Sequence, residues 1–235
     1  MTQEIRKRIG LIGGAGAPST IEYYSRIISK YSSLYNDMNF PELLIYSLSH
    51  GKIKGFEDNM DKEAYIDYLG QAARVLEKTD VDYIAIAANS PHSVIDELKE
   101  ITSIPFISAL DSSVNEAVRL KLKKVLLIGI RFTMQSTFFQ KRFEAEDIDV
   151  RVPSEEDQQK IHSVIYDELM KGVKRDYSRI LLETLINSYP VDGVILGCMR
   201  LPLLLKNGES KITYIDTLDL HTIDVLNASV GRKII

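Results

Sequence analysis

The sequence predicts an α/β protein built on a parallel, doubly wound sheet or on a pair of such sheets. Short apolar runs rich in Val, Ile and Leu recur along the chain, and segments with apolar residues at three- and four-residue spacing separate most of them. The runs lack strict apolar/polar alternation, which suits strands buried on both faces of a parallel sheet. A pattern of strand, small polar corner and helix also occurs twice, at 83–92 and 191–205, with the two copies about 110 residues apart, near a common domain size. Two halves follow: 1–111 with 212–235 as a first domain, and 112–211 as a second that carries Cys198.

The elements read in order. Strand 9–12 follows the basic Arg6-Lys7-Arg8, and its apolar run is far too short for a signal-peptide core and meets glycines at once. A corner from Gly13 to Thr20 leads into helix 20–35. Strand 43–48, helix 62–78 and strand 83–87 come next, followed by a corner at Ala88-Asn89-Ser90 and helix 94–101. Strand 105–108, helix 113–122 and strand 125–130 continue the alternation. Helices 135–144, 156–171 and 178–188 precede strand 191–196, which ends at Cys198, and helix 220–230 closes the pattern. Ser154-Glu155-Glu156-Asp157-Gln158 reads as a capped, acid-rich helix start, since negative groups there complement the helix dipole.

Composition narrows the function. Among 235 residues, 45% are hydrophobic and 26% charged, with a net charge of −4, which describes a globular protein without a polyanionic partner such as nucleic acid. No apolar stretch approaches the roughly 20 residues that span a bilayer, and one cysteine excludes an intrachain disulfide. A cytoplasmic enzyme or binding protein fits. Metal binding is unsupported, because four scattered histidines and one cysteine form no ligand pair at a recognised spacing.

Ligands of such sheets bind outside the carboxyl ends of the strands, which directs attention to three corners. The first, Gly13-Gly14-Ala15-Gly16, lacks the third glycine of a dinucleotide fingerprint, an acidic residue after the second strand and a P-loop lysine. Its amides at Gly14 and Ala15 suit a small carboxylate, and a plain strand-to-helix turn is the alternative. In the second corner, Ser90 before Pro91 reads as an N-cap, while Asn89, tolerant of left-handed backbone, can point its amide into a site. His92 falls in the first helical turn, where a neutral imidazole is an ordinary supporting or surface residue. In the third corner, Cys198 opens a turn whose amides would favour thiolate and draw its pKa from about 8.5 toward neutrality; an inert buried thiol is the alternative. Nothing singles out His50, His92, His162 or His221 as its base.

Taken together, Ile9 to Gly14, Asn89-Ser90-Pro91-His92, Arg131-Phe132-Thr133-Met134, Ile165-Tyr166-Asp167-Glu168-Leu169, Leu196-Gly197-Cys198 and Ile215-Asp216-Thr217 resemble the aspartate/glutamate racemase family in order and spacing across nearly the whole chain. The resemblance implies two pseudo-symmetric Rossmann-like domains with the site between them, a homodimer, no pyridoxal phosphate or other cofactor, no metal, and an acidic amino acid or dicarboxylate as ligand. Two cysteines of the family act on the α-carbon from opposite sides, one removing a proton and the other delivering one. Here Cys198 is one of them, and the position of the other holds Ala88. The resemblance places substrate contacts at Gly14, Ala15, Asn89, Ser90, Thr133, Met199 and Lys54. For Lys54, like Lys52, a solvated surface lysine is the plainer reading. Cys198-Met199-Arg200 replaces the usual Cys-Thr-Glu. Three readings stay open: an isomerase with reduced or one-sided activity, a single-cysteine enzyme such as the related arylmalonate decarboxylases, and a non-catalytic dicarboxylate-binding protein.

Overall fold

A computed structural model describes residues 6–35, 37–206 and 212–233. The ends of the expected first domain (1–5 and 234–235), position 36 and the segment 207–211 lie outside the described residues. The chain divides into two compact units, Met1–Ala109 with Leu218–Ile235, and Leu110–Thr217.

The elements in chain order begin with β1 (Ile9–Gly13), α1 (Ala17–Leu34), β2 (Leu43–Ser47), α2 (His50–Asp58), α3 (Lys62–Glu77), β3 (Tyr83–Ile86), α4 (Ile95–Lys99) and β4 (Phe106–Ile107). They continue with α5 (Ala109–Arg119), β5 (Lys124–Ile128), α6 (Arg131–Gln135), α7 (Phe138–Glu144), β6 (Asp149–Arg151), α8 (Glu155–Ser163), α9 (Asp176–Asn187), β7 (Gly193–Leu196), β8 (Thr213–Asp216) and α10 (Thr217–Ser229).

Each unit holds a four-stranded sheet of the same order, β2-β1-β3-β4 and β6-β5-β7-β8, with every pairing parallel. The chain goes outward from the first strand to the second, then crosses back to the third, so the direction reverses between β1 and β3 and again between β5 and β7. At such a point the following loops part and leave a crevice. The buried residues of the central strands are apolar: Ile12, Ile84 and Ile86 pack with Leu69, Ala72 and Leu76 of α3. In the second unit Leu126, Ile128, Val194 and Leu196 pack with Ile161, Leu182 and Ile186. Such residues destabilise by about 2–5 kcal/mol when truncated to alanine, so the strand ends stand on rigid ground.

The structure differs from expectation where local signals were weak. The strands β6 and β8 and the helix α2 were not anticipated. β6 is a three-residue edge strand with charged ends, β8 has four residues, and α2 contains two glycines and no side-chain cap. The helix expected at 156–171 ends at Ser163 and passes into a π-helical segment, Val164–Glu168, then a 3₁₀ turn, Leu169–Lys171. That unwinding leaves the Leu169 carbonyl to accept from the Arg200 guanidinium at 3.2 and 3.3 Å. The helix expected at 135–144 is interrupted at Ser136, which is extended, between α6 and α7. Ser154 does cap α8 by accepting from the Asp157 amide.

The first corner is tied tightly. Gly14 has φ +87°, and a β-carbon there would lie 2.1 Å from the Leu48 carbonyl oxygen, so only glycine lets the turns after β1 and β2 meet. The Thr20 hydroxyl accepts from the Gly14 amide at 2.9 Å, and α1 begins with Pro18 in its first turn, three residues before the expected start.

The body of α10 belongs to the first unit and brings His221 into it, fully buried. Its Nε2–H donates to the Ile107 carbonyl at 2.9 Å, which leaves Nδ1 to accept from the Tyr23 hydroxyl at 2.5 Å. Burial, assisted by nearby His92, lowers its pKa to about 3, so the ring is neutral.

Two outcomes follow. Gly14→Ala should cost about 3 kcal/mol or more in urea unfolding, combining left-handed strain with displacement of backbone; a cost under about 1 kcal/mol would contradict the contact. Because the folded state keeps His221 neutral, the unfolded chain binds one more proton between its ordinary pKa of 6.5 and about 3. The stabilisation is complete above pH 6.5 and is lost as pH falls, by about 1.4 kcal/mol per unit. His221→Gln should remove that increment from the slope of unfolding free energy between pH 6.5 and 5.

Candidate active site

The two units place the corners after β3 and β7 at one register position. Ile12 pairs with Ile86, and the Ala87 amide then donates to the Ile12 carbonyl at 2.8 Å. Ile128 pairs with Leu196, and the Gly197 amide donates to the Ile128 carbonyl at 2.7 Å. Ala88 and Cys198 are each the next residue. A short 3₁₀ turn containing a proline follows in both, Ser90–Val94 with Pro91 and Leu201–Leu203 with Pro202.

In the first unit the corner is held from behind. The Ala109 amide donates to His92 Nε2 at 3.1 Å, so Nδ1 carries the proton and donates to the Ala88 carbonyl at 2.9 Å. Of the two readings of His92, the supporting one holds: it is a buried clamp on the peptide at 88. Asn89 is buried and right-handed, with φ −83° and ψ −43°, and its carbonyl accepts from the His92 amide at 3.0 Å. Its tolerance of left-handed backbone is not used here. The N-cap reading of Ser90 is corrected: Ser90 is the first residue of the 3₁₀ turn, which has no side-chain cap. The Gly14 amide serves Thr20, and the Ala15 carbonyl accepts from His50 Nδ1 at 2.5 Å. Lys54 lies on α2 and pairs with Asp58 one turn on, with both side chains largely in solvent.

In the second unit, Thr133 in α6 is wedged against the same corner. A β-carbon on Gly197 would lie 2.9 Å from the Ile128 oxygen and 3.2 Å from the Thr133 methyl, so glycine permits the close approach. Thr133 Oγ1 is buried and has no hydrogen-bond partner among the described residues, a costly condition for a hydroxyl unless a ligand or water meets it. Cys198 is partly accessible, rests against the second unit's core and is followed by buried Met199.

The thiol is not drawn toward neutrality as expected. Desolvation dominates and pushes its pKa up to about 11, even though the Arg200 and Leu201 amides and the Arg200 charge favour the thiolate. The anticipated amides are present and are outweighed by apolar surroundings. Each of the four histidines holds a backbone group: His50 the Ala15 carbonyl, His92 that of Ala88, His162 the Arg131 amide and His221 the Ile107 carbonyl.

Sequence reasoning missed Glu57. It lies on the buried face of α2, one turn after buried Ile53, and accepts from the Tyr65 hydroxyl at 3.0 Å. Burial raises its pKa despite this donor. The available signal was an acid four residues after an isoleucine on a helix face, a signal that recognising α2 would have exposed. Among the described residues no group of three or more His, Cys, Asp or Glu could hold a metal ion, and no helix is long and apolar enough to cross a membrane.

Two parallel α/β units with one strand order, and a single thiol at a register position filled by alanine in its counterpart, define a duplicated scaffold with a one-thiol corner. The chain belongs to the Asp/Glu/hydantoin racemase family, whose model matches residues 12–224. It is similar to the broad specificity amino-acid racemase RacX of Bacillus subtilis (strain 168), at 27% identity over 216 residues, 89% of this chain and 92% of that protein. Its structure resembles that of an aspartate racemase homologue from Pyrococcus horikoshii OT3, with a TM-score of 0.82, 32% identity and coverage of 96% of this chain and 100% of the other. The fold of Picrophilus torridus aspartate racemase also matches, with a TM-score of 0.74 at 21% identity over 97% of this chain and 96% of that one.

With one cysteine in the chain, alkylation reads Cys198 alone. At pH 7 a thiol with a pKa of about 11 should react slowly with iodoacetamide, and its rate should rise about tenfold per pH unit up to pH 10. A plateau below pH 9 would contradict the burial argument.

Proposed function

We propose that this chain is a cofactor-independent isomerase that moves the α-proton of an acidic amino acid, aspartate or glutamate, with Cys198 as its thiol acid/base. The observation that carries the reading is the position of Cys198, directly after the amide that extends the β5–β7 ladder, at the crevice where such sheets bind ligands. A thiol held protonated at neutral pH is suited to donate: it delivers its proton to one face of the α-carbanion and is left as thiolate, which abstracts in the reverse direction. The buried Thr133 hydroxyl supports a polar ligand beside it, and the Met199 amide is a second candidate donor to a carboxylate. On the first unit, the amide of Ala15 and the side chains of Asn89, Ser90 and Lys54 complete the proposed substrate contacts, with the Gly14 amide already committed to Thr20. We further propose a cytoplasmic homodimer.

Ala88 favours a second reading, a single-thiol enzyme that protonates one face only, as a decarboxylase does. Incubation of D- and L-aspartate and glutamate in heavy water separates the two. The isomerase should both deuterate the α-position and invert it, and Cys198→Ala should lose at least about 100-fold of that activity. Deuteration of one enantiomer without inversion supports the one-thiol reading. Absence of both, for all four substrates, would overturn proton transfer on these amino acids.

A further inference from the structure

One charge at the thiol's corner has no counter-charge. In the second unit Arg119, Arg142, Arg151, Arg175 and Arg179 each pair with a carboxylate. The remaining arginines of that unit, Arg131 and Arg200, have no carboxylate partner among the described residues, and they stand just past β5 and β7. Arg131 is exposed, where water and salt screen its charge, and it reaches Gln159 on α8. Arg200 is half-buried, so its charge has lost part of that solvation. Its Nε and Nη2 donate to the Leu169 carbonyl at 3.3 and 3.2 Å, at the end of the helical run that begins with α8. A cation at the carboxyl end of a helix is commonly a cap. Here a cap already exists: the Gly172 amide donates to the same oxygen at 3.1 Å, and Gly172 takes the left-handed φ of +78°. What the bond adds is a fixed guanidinium.

A guanidinium carries all its N–H donors in one plane. Spending Nε and one hydrogen of Nη2 on Leu169 leaves Nη1 and the second hydrogen of Nη2, an edge that matches the fork of a carboxylate. The turn from Cys198 is closed by the Leu201 amide on the Cys198 carbonyl at 3.0 Å, which keeps Arg200 beside the thiol's corner. On the strand side of that corner, the buried Thr133 hydroxyl also lacks a partner among the described residues. We infer that Arg200 is the anion-holding residue of the second unit's corner, taking a carboxylate of the ligand on the remaining edge of its guanidinium. This deepens the isomerase reading, on which the identity of the ligand as an acidic amino acid rests. Uncharged ligands gain nothing from that edge, so the corner selects for anions. Arg200 recognises and moves no proton. Lysine is not equivalent, because a point charge cannot hold the Leu169 carbonyl and a carboxylate in one plane.

Alkylation of Cys198, the chain's one thiol, reads occupancy of the corner without requiring turnover. Iodoacetamide rates at one fixed pH are measured with and without succinate, each relative to the same protein without ligand. Succinate should protect the wild-type protein, and succinamide, its uncharged counterpart, should not. Arg200→Gln should raise the succinate concentration for half-protection at least about tenfold. Arg131→Gln, which removes the same charge from an exposed position, should leave it within about twofold. If Arg200→Gln does not fold, Arg200→Lys decides the matter, with an expected rise of at least about fivefold. A smaller rise in the folded variant, an equal rise in Arg131→Gln, equal protection by succinamide, or no protection of the wild type at about 100 mM succinate would each overturn the inference. Heavy-water exchange separates the two claims. Protection that depends on Arg200, in a protein that exchanges no α-proton of aspartate or glutamate, overturns the isomerase reading and leaves the anion site standing. Exchange by a wild-type protein whose protection ignores Arg200 does the reverse.

Discussion

The two strand-end corners depend on a parallel ladder that runs one hydrogen bond past the last paired residue. The amide of Ala87 on Ile12 and that of Gly197 on Ile128 extend β3 and β7 beyond their strands, so the next residue in each unit emerges from a fixed peptide at the rim of the sheet. Backbone bonds between buried strands are among the least mobile features of a domain. Proton transfer at carbon requires placement of this quality, since an error of an ångström costs orders of magnitude in rate. The positions of residues 88 and 198 are therefore properties of the sheets, not of flexible loops.

The central strands and most helices were legible because their information is local: short runs rich in Ile, Leu and Val for β1, β3, β5 and β7, and helical spacing for α3 and α9. The edge strand β6, with charge at both ends, carries no such pattern, and α2 hides behind two glycines. The π-helical segment has no local signature in the sequence, and the Arg200 guanidinium that donates to the Leu169 carbonyl just after it lies far along the chain. Of the candidate site, the corners at Gly14, Ala88 and Cys198 could be found from the sequence, but the environment of each group could not. Amides around Cys198 suggested a low pKa, whereas its apolar neighbours set the opposite direction. Glu57 escaped notice because burial, not residue type or spacing, is what makes it unusual.

The corner chemistries also differ in kind. The second unit offers a desolvated thiol beside a buried threonine hydroxyl and a cation committed to a carbonyl. The first has Ala88 at the corresponding position and, elsewhere in the unit, a buried Glu57 that accepts from the Tyr65 hydroxyl. The two units thus share strand order and backbone registration while the side chains at their corners differ.

The return of α10 has a consequence for how the chain is made. The second unit is continuous in sequence, Leu110–Thr217, whereas the first needs Leu218–Ile235 to be whole. His221 spans the hydroxyl of Tyr23 and the carbonyl of Ile107, closing the first unit with groups separated by most of the chain. During synthesis, then, β1 to β4 emerge first yet wait with His92 lacking its aromatic neighbour, while the later unit already has all its strands. Order of synthesis and order of completion are reversed, and the nascent first unit spends that interval as the part of the chain most in need of protection.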